Sequence, residues 1–179
     1  MTAPRPIVFT DLDGTLFQTA RKMPGDATNA HLAAEAKNGQ HSYMTPAQEA
    51  LVAWLNATTR LVPVTARSTE ALARCTIVFR DWRVAANGAI ILDPAGAPDP
   101  DWGTHIAQIS RDWAPTLAGL EAKVAAGNGD GKLRHWIVRE DGLPIYYCVK
   151  SNGDERWLDD VADELRSVAG LGLDVHRNG

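Results

Sequence analysis

At 179 residues and 19.4 kDa, with 45% apolar residues, the chain is long enough for one sizeable domain or two small ones and can bury a core. A net charge of -4 and a pI near 5.7, with Lys and Arg scattered rather than clustered, offer no basic face to a nucleic-acid backbone. No apolar run approaches the roughly 20 residues of a membrane span, and residues 1–6 lack the apolar region of a signal peptide, so the expectation is a cytoplasmic protein with neither nucleic acid nor membrane as partner.

In chain order, the first element is the run Ile7-Val8-Phe9, too short for a helix, β-branched and aromatic, and fenced by Pro6 and Gly14. It predicts a short buried strand. The strand empties into Asp11 and Asp13, one residue apart, at the end where ligands bind in open α/β sheets. Carboxylates this close repel, and the pair tolerates burial only when a cation joins them or one keeps its proton. A solvated Asp-Gly turn is the plain alternative. A calcium loop fits worse, because Leu16 falls where that loop needs Gly and Lys22 where it needs a bidentate Glu.

The stretch Ile7-Val8-Phe9-Thr10-Asp11-Leu12-Asp13-Gly14-Thr15-Leu16 resembles the first motif of the haloacid dehalogenase (HAD) superfamily of phosphatases. The resemblance implies that Asp11 is a nucleophile that becomes an aspartyl-phosphate and that Asp13 is a general acid and base. It also implies Mg2+ bridging the acids and the phosphate, with Asp11 and Asp13 as metal residues.

Residues 17–43 read as a long irregular loop with a short helix possible over 30–37, at the place where the family carries a flap. Thr45-Pro46-Ala47-Gln48 predicts a capped helix start, and Leu51, Trp54, Leu55 and Thr58 predict one apolar face with Trp54 in the core. A second buried strand, Leu61 to Thr65, runs into Ala66-Arg67-Ser68, with Ser68 as the cap of a helix to about Ile77. Strand, helix, strand, helix predicts a parallel sheet with Thr65 on the same rim as the acids. Val64-Thr65-Ala66-Arg67-Ser68 resembles the family's second motif, whose Ser or Thr hydrogen-bonds the phosphoryl group. Arg67 reads either as an anion partner or as a solvated helix-start residue. A third strand, Trp82 to Ala86, leads to the turn signal Asn87-Gly88. Asn87-Gly88-Ala89 before an apolar strand is similar to the phosphosugar phosphatases with a large α/β cap, sucrose-phosphate phosphatases included. That makes Asn87 a substrate-contact candidate beside its plain role in a turn.

Pro94 to Asp101 reads as a linker, which predicts an α/β Rossmann-like parallel-sheet core over 1–93 and an α+β cap over 94–179. In the second unit the pattern predicts a helix over 106–124 broken at Pro115 and strands over 133–139 and 143–149 joined by Asp141-Gly142. A helix over 154–168 and a last strand over 171–176 complete it. These are the first five of the six elements of the family's cap, so the resemblance implies a cap cut short, with the family's third motif, a Lys, and its acidic fourth motif not reached. The rival alignment places those motifs at Lys150 and Asp154, with Asp159 and Asp160 as further acids. Under the first reading the chain alone is expected to fold and to hydrolyse phosphomonoesters feebly.

The function implied is Mg2+-dependent hydrolysis of a small phosphorylated metabolite, a sugar phosphate, with Thr65, Arg67 and Asn87 toward the phosphate and substrate. The alternative is a truncated or non-catalytic ligand-binding or regulatory module of the same fold. A two-component receiver domain ranks last, since its phospho-acceptor belongs on an inner third strand. Cys75 and Cys148 read as packing thiols, the five His residues are too dispersed for a zinc site, and the oligomeric state stays open.

Overall fold

The computed structural model describes residues 4–23 and 30–168. Strand β1, Ile7–Thr10, runs parallel to β5, Arg60–Pro63, in a register that pairs Ile7 with Arg60 and Thr10 with Pro63. Leu61, Val62 and Pro63 are buried, as a continuous apolar run in a parallel sheet should be. β1 departs from the expected buried strand, because Val8 packs on the core while Ile7 and Phe9 are 52% and 67% exposed. Successive side chains of a strand point to opposite faces, so one face can be packed while the other stays open. Among the described residues β1 pairs with β5 alone.

Helix α1, Pro46–Thr58, makes the crossover into β5. Its start is the predicted capping box: the Gln48 N–H donates to Thr45 Oγ1 at 3.2 Å, and the Thr45 N–H donates to Gln48 Oε1 at 3.0 Å. The buried stripe is Val52 and Leu55, however, and Trp54, expected in the core, is 58% exposed. Two residues along a helix are about 200° around it, so a helix that turns Val52 inward turns Trp54 outward.

The stretch expected to be irregular is an antiparallel sheet. Strands β2 (Gln18–Thr19), β3 (His31–Ala34) and β4 (Ser42–Met44) pair in the order β2-β4-β3, and a 3-10 turn spans Ala20–Lys22. The possible helix over 30–37 is replaced by β3 because its alanines are consumed in tertiary packing. Ala33 and Ala34 are buried, Ala34 bridges to Cys75, and the Thr76 N–H donates to the Ala33 carbonyl at 2.8 Å. Packing of this kind overrides the helix preference of alanine.

After β5, Ser68 caps a short helix α2, Thr69–Ala73, by accepting the Ala71 N–H at 3.1 Å. The helix stops short of the expected Ile77, which is buried in the core instead. β6, Arg83–Ala85, joins β5 through a parallel bridge between Val84 and Val64 and pairs antiparallel with β7, Ile90–Leu92. The fold is thus α/β, with parallel strands connected through helices. One cluster of buried residues gathers the acid loop (Leu12, Leu16, Phe17), the β2-β4-β3 sheet (Ala33, Ala34, Met44), α1 (Val52, Leu55) and β5 to β7 (Leu61, Ala85, Leu92).

Arg60 grips Asp81 with both edges of its guanidinium, Nε to Oδ2 at 2.7 Å and Nη2 to Oδ1 at 2.8 Å. These bonds, then the Trp82 N–H, hold the Asp81 carboxyl below its usual range. A carboxyl depressed on folding contributes stability that is fully present above its ordinary value near 3.8 and is lost as pH falls through the folded value. Asp81→Asn should therefore lower the melting temperature near neutral pH, with the deficit shrinking on acidification. A deficit independent of pH in thermal melts would contradict this.

The expected linker is tied back instead. Asp93 and Asp99 N–H groups donate to the Ala97 and Ile91 carbonyls at 2.8 Å each, and Leu92 bridges to Pro98. The proline-rich run is a turn against β7, and the chain divides later, between Ile106 and Ala107. That division lies within α3, Pro100–Gly127, which continues through Pro115 rather than breaking there. In the second unit Leu117, Leu120 and Val124 are buried at helical spacing, and Ser110 donates to the Pro144 carbonyl at 2.8 Å. β8, Leu133–Glu140, and β9, Leu143–Ser151, form the expected hairpin, with Asp141 and Gly142 at φ +47 and +80. Both turn residues need a left-handed backbone in a two-residue type I′ turn, which is why Asp-Gly marks it. Helix α4, Trp157–Val168, half-buries Trp157, Val161 and Leu165. The expected last strand over 171–176 lies outside the described residues, none of whose helices is long and apolar enough to cross a membrane.

Candidate active site

Leu12 is the pivot of the acid loop. Its side chain is wholly buried, and its carbonyl accepts the N–H groups of Thr15, Leu16 and Phe17 at 3.2, 3.0 and 3.2 Å. Leu16 and Phe17 are buried too, so apolar side chains pin the loop and the two acids flanking Leu12 stay at the surface. Gly14 closes the turn at φ +83, a backbone state that its missing Cβ permits, and donates its N–H to the Phe17 carbonyl at 2.7 Å.

Thr65 reaches the same edge by the neighbouring strand. The Val64 N–H donates to the Thr10 carbonyl at 2.8 Å, which carries the pairing of β1 and β5 one step past the strands. Asp11 and Thr65 therefore follow adjacent, parallel-paired strand ends. Thr65 is 4% exposed, and its hydroxyl oxygen accepts the Arg67 N–H at 3.1 Å, which leaves its own O–H to donate.

For Arg67 the sequence leaves two readings, and in the structure the side chain pairs with an anion, the Asp13 carboxylate. The guanidinium lies on Asp13 as a two-pronged fork, Nε to Oδ2 and Nη2 to Oδ1, both at 2.7 Å. The Arg67 side chain is 17% exposed against 49% for that of Asp13, so the pair sits at the mouth of the loop rather than in bulk water. Hydrogen bonding to Asp13 raises the Arg67 pKa above its already high value, so Arg67 is a fixed cation. It stacks on the Phe17 ring, 4.8 Å from the centroid, and Nη2 reaches the hydroxyl of Ser42 at 3.4 Å.

Asn87 lies in a turn that uses its backbone. Ala86 and Asn87 take φ +50 and +56, left-handed values that cost roughly 1–3 kcal/mol per residue where no glycine stands. Two bonds hold the turn to the β5 exit, Ala86 N–H to the Arg67 carbonyl at 2.8 Å and Asn87 N–H to the Thr65 carbonyl at 3.0 Å. The Asn87 residue itself is exposed.

Lys150 and Asp154 have local roles. Lys150 lies in β9 opposite Arg134, with its ammonium 5.8 Å from the Trp136 ring. The Asp154 carboxylate accepts the Arg156 side chain, Nε at 2.8 Å, and then the Arg156 N–H at 2.9 Å, which hold it below the usual carboxylate range. Among the described residues no three of His, Cys, Asp and Glu gather to hold a metal. Sequence reasoning overlooked Phe17 and Ser42. Phe17 carries a signal as the apolar residue closing the loop, whereas Ser42 stands 25 positions before Arg67, where nothing local marks it.

No family model matches the chain, and no curated protein matches it. Among solved structures it is similar to BT1666 from Bacteroides thetaiotaomicron, described among the phosphatases of the haloalkanoate (HAD) enzyme superfamily. The identity is 13%, with 93% of this chain and 72% of that chain covered and a TM-score of 0.35.

Proposed function

We propose that the chain is a Mg2+-dependent phosphomonoesterase of the HAD phosphatase type, acting on a small phosphorylated metabolite, a sugar phosphate, through an aspartyl-phosphate at Asp11. The observation that carries this reading is the placement of Asp11, Asp13 and Thr65 just past the paired ends of β1 and β5.

In the first half-reaction an Asp11 carboxylate oxygen attacks phosphorus in line, the bond from phosphorus to the ester oxygen breaks, and Asp13 gives that oxygen a proton. In the second, Asp13 takes a proton from water as the water oxygen bonds to phosphorus and the Asp11–phosphorus bond breaks, releasing inorganic phosphate. The Thr65 O–H donates to a phosphoryl oxygen throughout. A carboxyl group offers about four lone-pair sites, of which the Arg67 fork takes two, so a remaining one can carry the proton that Asp13 gives to the leaving oxygen and later takes from water.

Asp11, with an oxygen of Asp13, would hold Mg2+, whose charge offsets that of the phosphoryl group. Hard oxygen donors suit this ion, which commonly takes one or two carboxylates and shares the substrate's phosphate. A second reading of the same placement is a module that binds a phosphorylated ligand without turnover.

Incubating the full chain with sugar phosphates and an aryl phosphate, with Mg2+ or with EDTA, separates the two. The proposal expects EDTA-sensitive release of inorganic phosphate. Saturable binding with no release supports the second reading, and neither binding nor release refutes both.

A further inference from the structure

Arg67 touches four parts of the candidate site. Its guanidinium binds both oxygens of Asp13 at 2.7 Å, lies on the Phe17 ring and reaches Ser42 of β4. Its N–H goes to the Thr65 hydroxyl, and its carbonyl takes the Ala86 N–H. A guanidinium has five N–H donors in a rigid plane, and here two are spent on one carboxylate while a third leans on β4.

From this geometry we propose that Arg67 is a positioning residue for Asp13: it fixes the plane of that carboxylate and holds the acid loop to β4, and it is not the group that grips the phosphoryl oxygens. The inference rests on the phosphatase reading for its catalytic meaning, while the pairing itself stands on geometry.

Three features support the assignment. The fork is planar and doubly bonded, so it defines an orientation as well as a charge, which a single ammonium cannot do. Phe17 and Ser42 brace the guanidinium from two sides, so it is held toward Asp13 rather than swinging over the phosphate site. The backbone of Arg67 is fixed at both ends, through Thr65 and Ala86. Misplacing an acid or base by about 1 Å can cost on the order of 10²-fold in rate, which is the loss expected if the brace goes.

Arg67→Lys and Arg67→Ala in the full chain test the idea. Both should lower kcat by on the order of 10²-fold with KM little changed. Guanidinium ion added to the Ala variant should restore part of kcat, whereas ammonium should not, and Lys should not substitute for Arg. A rise in KM at unchanged kcat would make Arg67 a phosphate-binding group and overturn the proposal. A second readout needs no turnover. In proton-nitrogen NMR spectra the Arg67 Nε–H should be sharp and slow to exchange in the parent, and Asp13→Ala should broaden it into exchange with water. If the parent shows no turnover, the phosphatase reading fails and this spectrum still decides the pairing. A rapidly exchanging Nε–H in the parent refutes the pairing even if phosphatase activity is present.

Discussion

Asp11→Asn should abolish phosphate release while leaving the fold unchanged. The substitution keeps the size and shape of an exposed side chain at the end of β1 but removes the attacking oxygen and the charge that would hold a metal. Losing a covalent nucleophile commonly costs on the order of 10⁴- to 10⁶-fold in kcat. Circular dichroism and thermal melting should match the parent, because neither packing nor a buried hydrogen bond depends on the charge. Turnover at the parent rate would show that Asp11 is not the nucleophile.

Phe17→Ala carries the largest expected cost in stability. Phe17 is wholly buried at the close of the acid loop, where it packs with Leu12 and Leu16 and supports the Arg67 guanidinium. Truncating a buried Phe costs roughly 3–5 kcal/mol through lost burial and the cavity left behind. That is a large share of the roughly 5–15 kcal/mol by which domains are stable. Urea unfolding followed by fluorescence measures it, and a change under about 1 kcal/mol, the usual scale of a surface substitution, would contradict the packing described.

What the sequence made legible is what neighbouring residues determine by themselves. The Thr45 capping box, the Ser68 cap and the Asp141-Gly142 turn each depend on a few adjacent residues, and each is found as expected. The strand that leads to Asp11 and the parallel strand that leads to Thr65 were legible for a similar reason: short apolar runs that end in polar loops.

What failed to be legible depends on partners far away in sequence. Leu32, Ala33 and Ala34 suit a helix locally, and only pairing with β4 and Cys75 makes them a strand. The prolines between residues 94 and 100 resemble a linker until the bonds of Asp93 and Asp99 show a turn. Pro115 suggests a break, yet α3 runs through it. The exposure of Ile7, Phe9 and Trp54 follows from which face is covered, a property of the assembled layers. At the site, the grip of Arg67 on Asp13 spans 54 positions, so no motif spacing announces it.

The central claim is that Asp11 forms a covalent phosphoenzyme. Mixing the full chain with Mg2+ and an excess of a reactive phosphomonoester, quenching in acid within the first turnover and sequencing the digested peptides by mass spectrometry tests it directly. The account predicts one phosphoryl group on the peptide holding residues 7–16, placed on Asp11, labile to hydroxylamine and absent from Asp11→Asn. Phosphate release with no label on that peptide, or with the label on another residue, would contradict it.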